Sequence, residues 1–252
     1  MQVGLIGSGN MARALARGWG DPVLCSDAGS GRARALAEEL GGEALESNAE
    51  LAKRADLVVL CHKPAQLAAV AAEIAGEAKA VASVLGATPI AALQEAYPDV
   101  PVFRLMPNTP VEVRRGVVLY APAPDVPEEL EQQVISLFER LGTVVTIDER
   151  SMGPATAVTG VGPAYQALLA EAQVDAAVHH GLAPALASRL VAETMAGTAA
   201  LLTDRDYDTL AVRREVTSPG GSTARGLAAL ERAGVRAAFQ DAVDAVIGWS
   251  RR

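Results

Sequence analysis

The sequence predicts an α/β protein: a doubly wound, parallel sheet over residues 1–150, then an all-helical domain over residues 151–252. Three observations carry that expectation. Short apolar runs alternate with helix-compatible stretches from Gln2 to Ile147, the rhythm of repeated strand–helix–strand units. The first run leads straight into Gly7-Ser8-Gly9-Asn10-Met11-Ala12, a glycine turn that opens a helix. From Gly162 onward the strand pattern stops, and only helical stretches punctuated by Gly and Pro remain.

Composition bounds the function. With 252 residues, 50% of them hydrophobic, the chain has material for two cores. Only 4% are aromatic, so packing must rest on alanine and other small side chains in close approach. A net charge of −8 without a Lys/Arg cluster argues against a nucleic-acid or anionic-membrane partner. Cys25 and Cys61 each sit in an apolar run, which fits a reducing cytoplasm better than a disulfide framework. No signal-peptide pattern opens the chain, and no apolar run is long enough to span a bilayer, so a soluble cytoplasmic protein is expected.

Taken in order, Gln2–Ile6 reads as a strand and the turn after it as Gly-x-Gly-x-x-Ala, a dinucleotide-binding fingerprint of Rossmann-type sheets. The first two glycines let backbone reach a pyrophosphate; the small third residue lets helix and strand pack closely. A helix to Gly18 and a strand over Val23–Ser26 follow, and Asp27 stands about 20 residues past Gly7, where a carboxylate takes the ribose hydroxyls of NAD. Ser26, Ser30, Arg32 and Arg34 around it could instead receive the 2′-phosphate of NADP, so NADPH or NADH both remain open.

Further units comprise helix Arg32–Leu40, strand Asp56–Cys61, helix Pro64–Ile74, strand Ala80–Leu85, helix Ile90–Ala96 and strand Val102–Met106. Strand Gly116–Tyr120, helix Pro127–Leu141 and strand Thr143–Ile147 complete the half. In such sheets ligands lie beyond the carboxyl ends of the strands, which puts Cys61-His62-Lys63-Pro64, Leu85-Gly86-Ala87-Thr88-Pro89 and Met106-Pro107-Asn108-Thr109-Pro110 beside a cofactor cleft. Asn48 reads as the N-cap of a short helix. His62 has no carboxylate near it in sequence to orient it as a catalyst, and Lys63 is the better cleft-lining residue.

Helices Pro163–His180, Pro184–Leu202, Asp206–Arg214 and Val235–Trp249 fill the second half, the last with Val235, Phe239, Ala242, Val246 and Trp249 on one face. The first is small or apolar nearly all round, so a partner subunit is expected to cover part of it. Adjacent His179 and His180 point about 100° apart on a helix, and no Cys/His cluster suggests a metal site. In Val216-Thr217-Ser218-Pro219-Gly220-Gly221-Ser222-Thr223, Ser218 reads as an N-cap, Pro219 as the first helical residue and Gly220–Thr223 as a first turn suited to an anion.

Together, Gly-Leu-Ile-Gly-Ser-Gly-Asn-Met-Ala, His62-Lys63-Pro64, Met106-Pro107-Asn108-Thr109-Pro110, Thr159-Gly160-Val161-Gly162-Pro163-Ala164-Tyr165 and the Val216–Thr223 motif resemble pyrroline-5-carboxylate reductases from end to end. The resemblance implies hydride transfer from NADPH or NADH to the C=N bond of 1-pyrroline-5-carboxylate, giving L-proline. It implies a helical dimerisation domain and a homodimer, assembled further into a higher homo-oligomer. It implies cofactor contacts at Ile6, Gly7, Ser8, Gly9, Asn10, Met11, Ser26, Asn48, Cys61, His62, Lys63, Pro64 and Gly86. Substrate contacts are implied at Glu149, Ser218, Gly221, Ser222 and Thr223, with Thr223 in the catalytic role. The chain departs from the family pattern at Val161, which lacks a usual hydroxyl, at His62, usually apolar, and at Asp27-Ala28, where NADP-using members carry Asn-Arg. Rival readings are a β-hydroxyacid or imine-reducing dehydrogenase of the same plan, or a non-catalytic NAD(P)-binding protein; the first would carry a catalytic lysine on the long helix, and Pro163–His180 contains none.

Overall fold

Strands covered on both faces need no polar residues, and that is how the amino-terminal sheet is built. In the computed structural model, which describes residues 1–250 and side chains as far as residue 248, β1 (Val3–Ile6), β2 (Leu24–Ser26), β4 (Leu57–Leu60) and β5 (Val81–Ser83) are buried at every position. Between them run α1 (Asn10–Trp19), α2 (Arg32–Leu40), β3 (Glu43–Ala44), α3 (Asn48–Arg54) and α4 (Leu67–Ile74). Then follow α5 (Ile90–Ala96), β6 (Val102–Pro107), β7 (Gly116–Ala121), α6 (Glu128–Glu139), β8 (Gly142–Thr146) and α7 (Met152–Thr159).

The eight strands lie in the order β3-β2-β1-β4-β5-β6-β7-β8. The first six of these reproduce the doubly wound dinucleotide-binding order, whose direction of winding reverses between β1 and β4. The two-residue β3 escapes a sequence reading because so short a strand carries no pattern. The sheet is not parallel throughout: β7 runs antiparallel to β6. The link between them holds only a 3₁₀ segment at Thr109–Val113, too little chain for the crossover that a parallel pair requires. A full helix, α6, then returns the chain, and β8 pairs parallel to β7.

Close packing by small residues is visible along α1, where Ala12, Ala14 and Ala16 are buried. Trp19 anchors its far end, donating Nε1–H to the Leu137 carbonyl at 3.0 Å and meeting Phe138 edge-on at 5.5 Å.

The chain divides into two compact units, one ending at Pro163 and one beginning at Ala164. α7 belongs to the first: its Met152 and Ala155 pack with Leu119 and Ala121 of β7. The helical unit contains nearly all of α8 (Gly162–His179), with α9 (Pro184–Asp204), α10 (Thr209–Glu215), α11 (Ser222–Arg232) and α12 (Val235–Ser250). α10 starts later than its sequence suggests, because Asp206 and Tyr207 both take positive φ and Asp208 caps the helix by accepting from the Leu210 and Ala211 amides. Tyr165 of α8 meets Phe239 of α12 edge-on at 6.3 Å; the side chain of Trp249, expected on the same face, lies outside the described residues.

This unit hardly has a core of its own. Among its described residues only Ala187 and Val212 are buried, whereas Leu168 of α8 is 64% exposed and Leu230 of α11 is 55% exposed. No residue of α8 is buried within the chain. No described helix is long and apolar enough to cross a membrane.

Candidate active site

The glycine turn after β1 owes its form to what lies beside it. Gly7 has φ +94°, and a Cβ there would stand 2.7 Å from the His62 amide nitrogen at the end of the neighbouring β4, so only glycine fits without strain. Its own N–H donates to the Ser26 carbonyl at 3.0 Å, and buried Ser8 donates its hydroxyl to the same oxygen at 3.1 Å. Ser8 is thereby spent on the turn rather than on a ligand. Gly9 caps α1 without any side-chain hydrogen bond, and a Cβ at Gly9 would meet nothing within 4 Å. The first-turn amides of α1 have neither an intrahelical partner nor a side-chain cap, and Gly9 ahead of them faces open space, an arrangement that suits a pyrophosphate.

That space is a cleft of about 700 Å³ at the carboxyl ends of β1, β2 and β4. Of the residues picked out in the sequence, Ile6, Gly7, Gly9, Asn48, Cys61, His62 and Lys63 line it; Ser8, Asn10, Met11, Ser26, Pro64 and Gly86 do not. Buried Ser26 instead donates its hydroxyl to Asn48 Oδ1 at 2.6 Å, and Asn48 Nδ2 donates to Glu73 Oε2 at 2.5 Å, a chain of bonds that fixes one wall. Asn48 is the first residue of α3 rather than its cap: Ser47 precedes it and accepts from the Glu50 amide. Pro64 begins a 3₁₀ turn ahead of α4. Gln66 and Glu73 complete the wall on that side, on a stretch whose apolar pattern gives no sign of facing a ligand.

Asp27 also lines the cleft, but its carboxylate is occupied. Oδ1 accepts from the amides of Gly29 at 2.8 Å and Ser30 at 3.0 Å; Oδ2 accepts from the Ser30 hydroxyl at 2.7 Å and the Ala33 amide at 2.9 Å. Desolvation pushes this carboxyl up, and the bonds from Ala33, Ser30 and Gly29 together outweigh it, holding the group below the ordinary Asp range.

Cys61 and His62 are poor acid–base groups here. Burial pushes the Cys61 thiol up to about 12, so it stays protonated near neutrality. Burial also lowers the His62 pKa below 6.5, more than the Lys63 carbonyl at 2.9 Å from Nδ1 and the charge of Glu73 raise it, and Nε2 is buried without a partner. A histidine held neutral in the fold binds its proton more readily when unfolded, so stability should fall as pH drops from about 6.5 toward the lowered folded value. Between pH 7 and pH 5, His62→Gln is expected to lose less in Tm than wild type; equal losses would remove His62 as the cause.

In the helical unit the Val216–Thr223 stretch folds differently from its sequence reading. Ser218 does not cap the helix. Its carbonyl accepts from the Gly221 amide at 3.0 Å, and Gly220 has φ +69°, so Ser218-Pro219-Gly220-Gly221 is a β-turn with proline second and a positive-φ glycine third, the type II pattern. α11 then begins at Ser222 with Gly221 as a cap that offers no side chain. The anion-suited first turn survives, displaced: Ser222 and Thr223 are its first two residues, and their amides have no capping partner.

Glu149 lies in the first unit, in the 3₁₀ turn before α7. Its Oε1 accepts from the Ile90 amide at 2.6 Å, at the start of α5, and pairs with Arg104 of β6. Nearby, buried Asn108 ties three segments together, accepting from the Val117 amide at 2.8 Å and donating to the Thr159 carbonyl at 3.0 Å. Among the described residues no cluster of His, Cys, Asp and Glu could hold a metal.

Comparison with known proteins decides what these pieces belong to. Residues 149–252 match the family model described as pyrroline-5-carboxylate reductase dimerisation, and residues 2–86 match that described as NADP oxidoreductase coenzyme F420-dependent. Pyrroline-5-carboxylate reductase from Synechocystis is 34% identical over 97% of this chain and 95% of its own. The chain belongs to the pyrroline-5-carboxylate reductase family. The reductase of Mycobacterium tuberculosis is 35% identical over 97% of this chain and 94% of its own. The solved Plasmodium falciparum pyrroline carboxylate reductase, with NADP bound, superposes with a TM-score of 0.89 at 29% identity, covering 99% of this chain and 97% of that one. In a family of NAD(P)H-dependent reductases, the bare glycine cradle at Gly9 and the uncapped start of α1 fit a dinucleotide pyrophosphate.

Proposed function

We propose that the chain reduces 1-pyrroline-5-carboxylate to L-proline with NAD(P)H, and that the uncapped first turn of α11 holds the substrate. The observation that carries this is the Ser218–Gly221 turn, which leaves the Ser222 and Thr223 amides unpaired with three hydroxyls beside them, in a chain similar over its whole length to reductases of that imine. Bound NAD(P)H supplies the hydride. The first-turn amides of α11, with the Ser218 hydroxyl, bind the substrate carboxylate through charge-assisted bonds and the helix dipole. Thr223 Oγ1 accepts a hydrogen bond from the N–H of the protonated imine; the hydride adds to the imine carbon, and the C=N π pair becomes the nitrogen lone pair of the ring amine. Positioning supplies much of the rate, since no side-chain acid is needed if the imine arrives protonated.

NAD(P)H oxidation monitored by absorbance, with 1-pyrroline-5-carboxylate as substrate, tests the activity directly. Thr223→Ala is expected to lower kcat/KM by about 10²-fold while leaving the Kd for NAD(P)H unchanged. A wild-type kcat/KM in that variant would remove Thr223 from the chemistry.

The same reading makes the protein a homodimer in the cytoplasm, associating further into rings of dimers. The exposed leucines along α8, α9 and α11 supply the apolar surface for a second copy. Light scattering of the pure protein should give a mass of at least twice 26.0 kDa.

A further inference from the structure

We infer that Arg32 makes the cleft select a 2′-phosphorylated dinucleotide, so that NADPH is the preferred hydride donor although an aspartate stands where an NAD-specific enzyme would place one. The inference rests on the cleft being the dinucleotide site.

Acceptor capacity decides between the two cofactors. A carboxylate that grips a ribose diol must offer free lone pairs to two hydroxyls, and an ionised Asp has about four such positions. All four on Asp27 are taken by its own loop: the amides of Gly29, Ser30 and Ala33, and the Ser30 hydroxyl. Asp27 therefore acts as the organiser of the segment leading into α2, and its charge is spread over the donors around it. Gly31, which precedes α2, has no side chain with which to cap the helix, so Asp27 does this instead through the Ala33 amide.

The folding of that loop places Arg32, the first residue of α2, on the wall of the same cleft. Among the described residues its guanidinium makes no hydrogen bond or ion pair; other arginines, such as Arg13 and Arg34, are also unpaired, but Arg32 is the arginine that lines this cleft. A forked cation without a partner, beside the end of β2, matches a phosphate in geometry and charge. Glu46 on the same cleft opposes a phosphate and is exposed, as Arg32 is, so solvent screens both charges alike; the Arg32 fork adds direct hydrogen bonds to a phosphate, to which the repulsion has no counterpart. Glu73, also on the cleft, is engaged by Asn48.

Binding of adenosine 2′,5′-bisphosphate and of AMP, measured by titration calorimetry without substrate or hydride transfer, tests the assignment. Wild type is expected to bind the bisphosphate at least about tenfold more tightly than AMP. Arg32→Ala should bring that ratio close to one, Arg32→Lys should restore part of it, and the ratio should shrink with added salt. NADP⁺ and NAD⁺ should follow the same order. Equal affinity of wild type for the two nucleotides, or an unchanged ratio in Arg32→Ala, overturns the role of Arg32. Binding of neither nucleotide overturns the assignment of the cleft itself.

Discussion

Gly7→Ala is expected to yield a protein that unfolds several kcal/mol more easily than wild type, whereas Gly9→Ala should fold normally and lose its dinucleotide. The two glycines sit in one turn but answer to different constraints. A Cβ on Gly7 would lie 2.7 Å from the His62 nitrogen and 2.8 Å from the Cys61 carbonyl carbon, atoms of backbone that no rotamer change can move. Backbone strain at φ +94° adds about 1–3 kcal/mol to an overpacking cost of similar size. Relief requires β1 and β4 to part, which breaks the bond from the Cys61 amide to the Ile6 carbonyl at 2.8 Å. Gly9 has no neighbour within 4 Å of an added Cβ and a φ of −77°, so alanine should change stability by no more than about 0.5 kcal/mol. Its methyl would occupy the cradle, and NADP⁺ affinity should fall by about tenfold or more. Denaturant midpoints and nucleotide titrations of the two variants separate these effects. If Gly9→Ala bound NADP⁺ as wild type does, the pyrophosphate would have to lie elsewhere.

How far sequence alone reaches here depends on whether a residue's role is local. Gly7, Gly9 and Ala12 are legible because a strand, a sharp turn and a helix start are fixed by neighbours within a few residues, and their buried and open environments follow from that geometry. That the sheet is doubly wound was legible from the alternation of strands and helices, but the strand order was not, the reversal at β7 depended on the length of one link, and β3 was too short to see. Ser218 misleads because Ser-Pro is equally a helix start and a β-turn start; the second glycine, with Gly220 at positive φ, tips it to a turn and moves the cap to Gly221. Asp27 shows the deeper limit. Its position relative to Gly7 marks it for the ribose, and nothing in the sequence says that four donors from its own loop will occupy it. Gln66 and Glu73 were invisible for the converse reason, as residues brought to the cleft by the packing of α4 and not by any motif.

Glu149 carries the other large effect. The resemblance marks it as a substrate residue, yet its Oε1 is committed to Arg104 and to the Ile90 amide. Arg104 is 8% exposed, and its Nε is already buried without a partner. Glu149→Ala would strand that guanidinium and uncap α5 together. Removing one member of a fully buried pair costs about 3–5 kcal/mol; because the Glu149 side chain is 38% exposed, water offsets part of this, and about 2–3 kcal/mol is expected. Replacing both charges separates the pair from the cap. Arg104→Met with Glu149→Gln removes the buried cation and keeps an oxygen for the Ile90 amide, so the double variant should be more stable than the Glu149→Ala single variant, and within about 1 kcal/mol of wild type. Urea unfolding of both variants measures the difference, and KM for the imine in the folded double variant reads any role of the carboxylate toward substrate. A Glu149→Ala midpoint equal to that of wild type would show that Arg104 finds another partner, and would return Glu149 to the substrate alone.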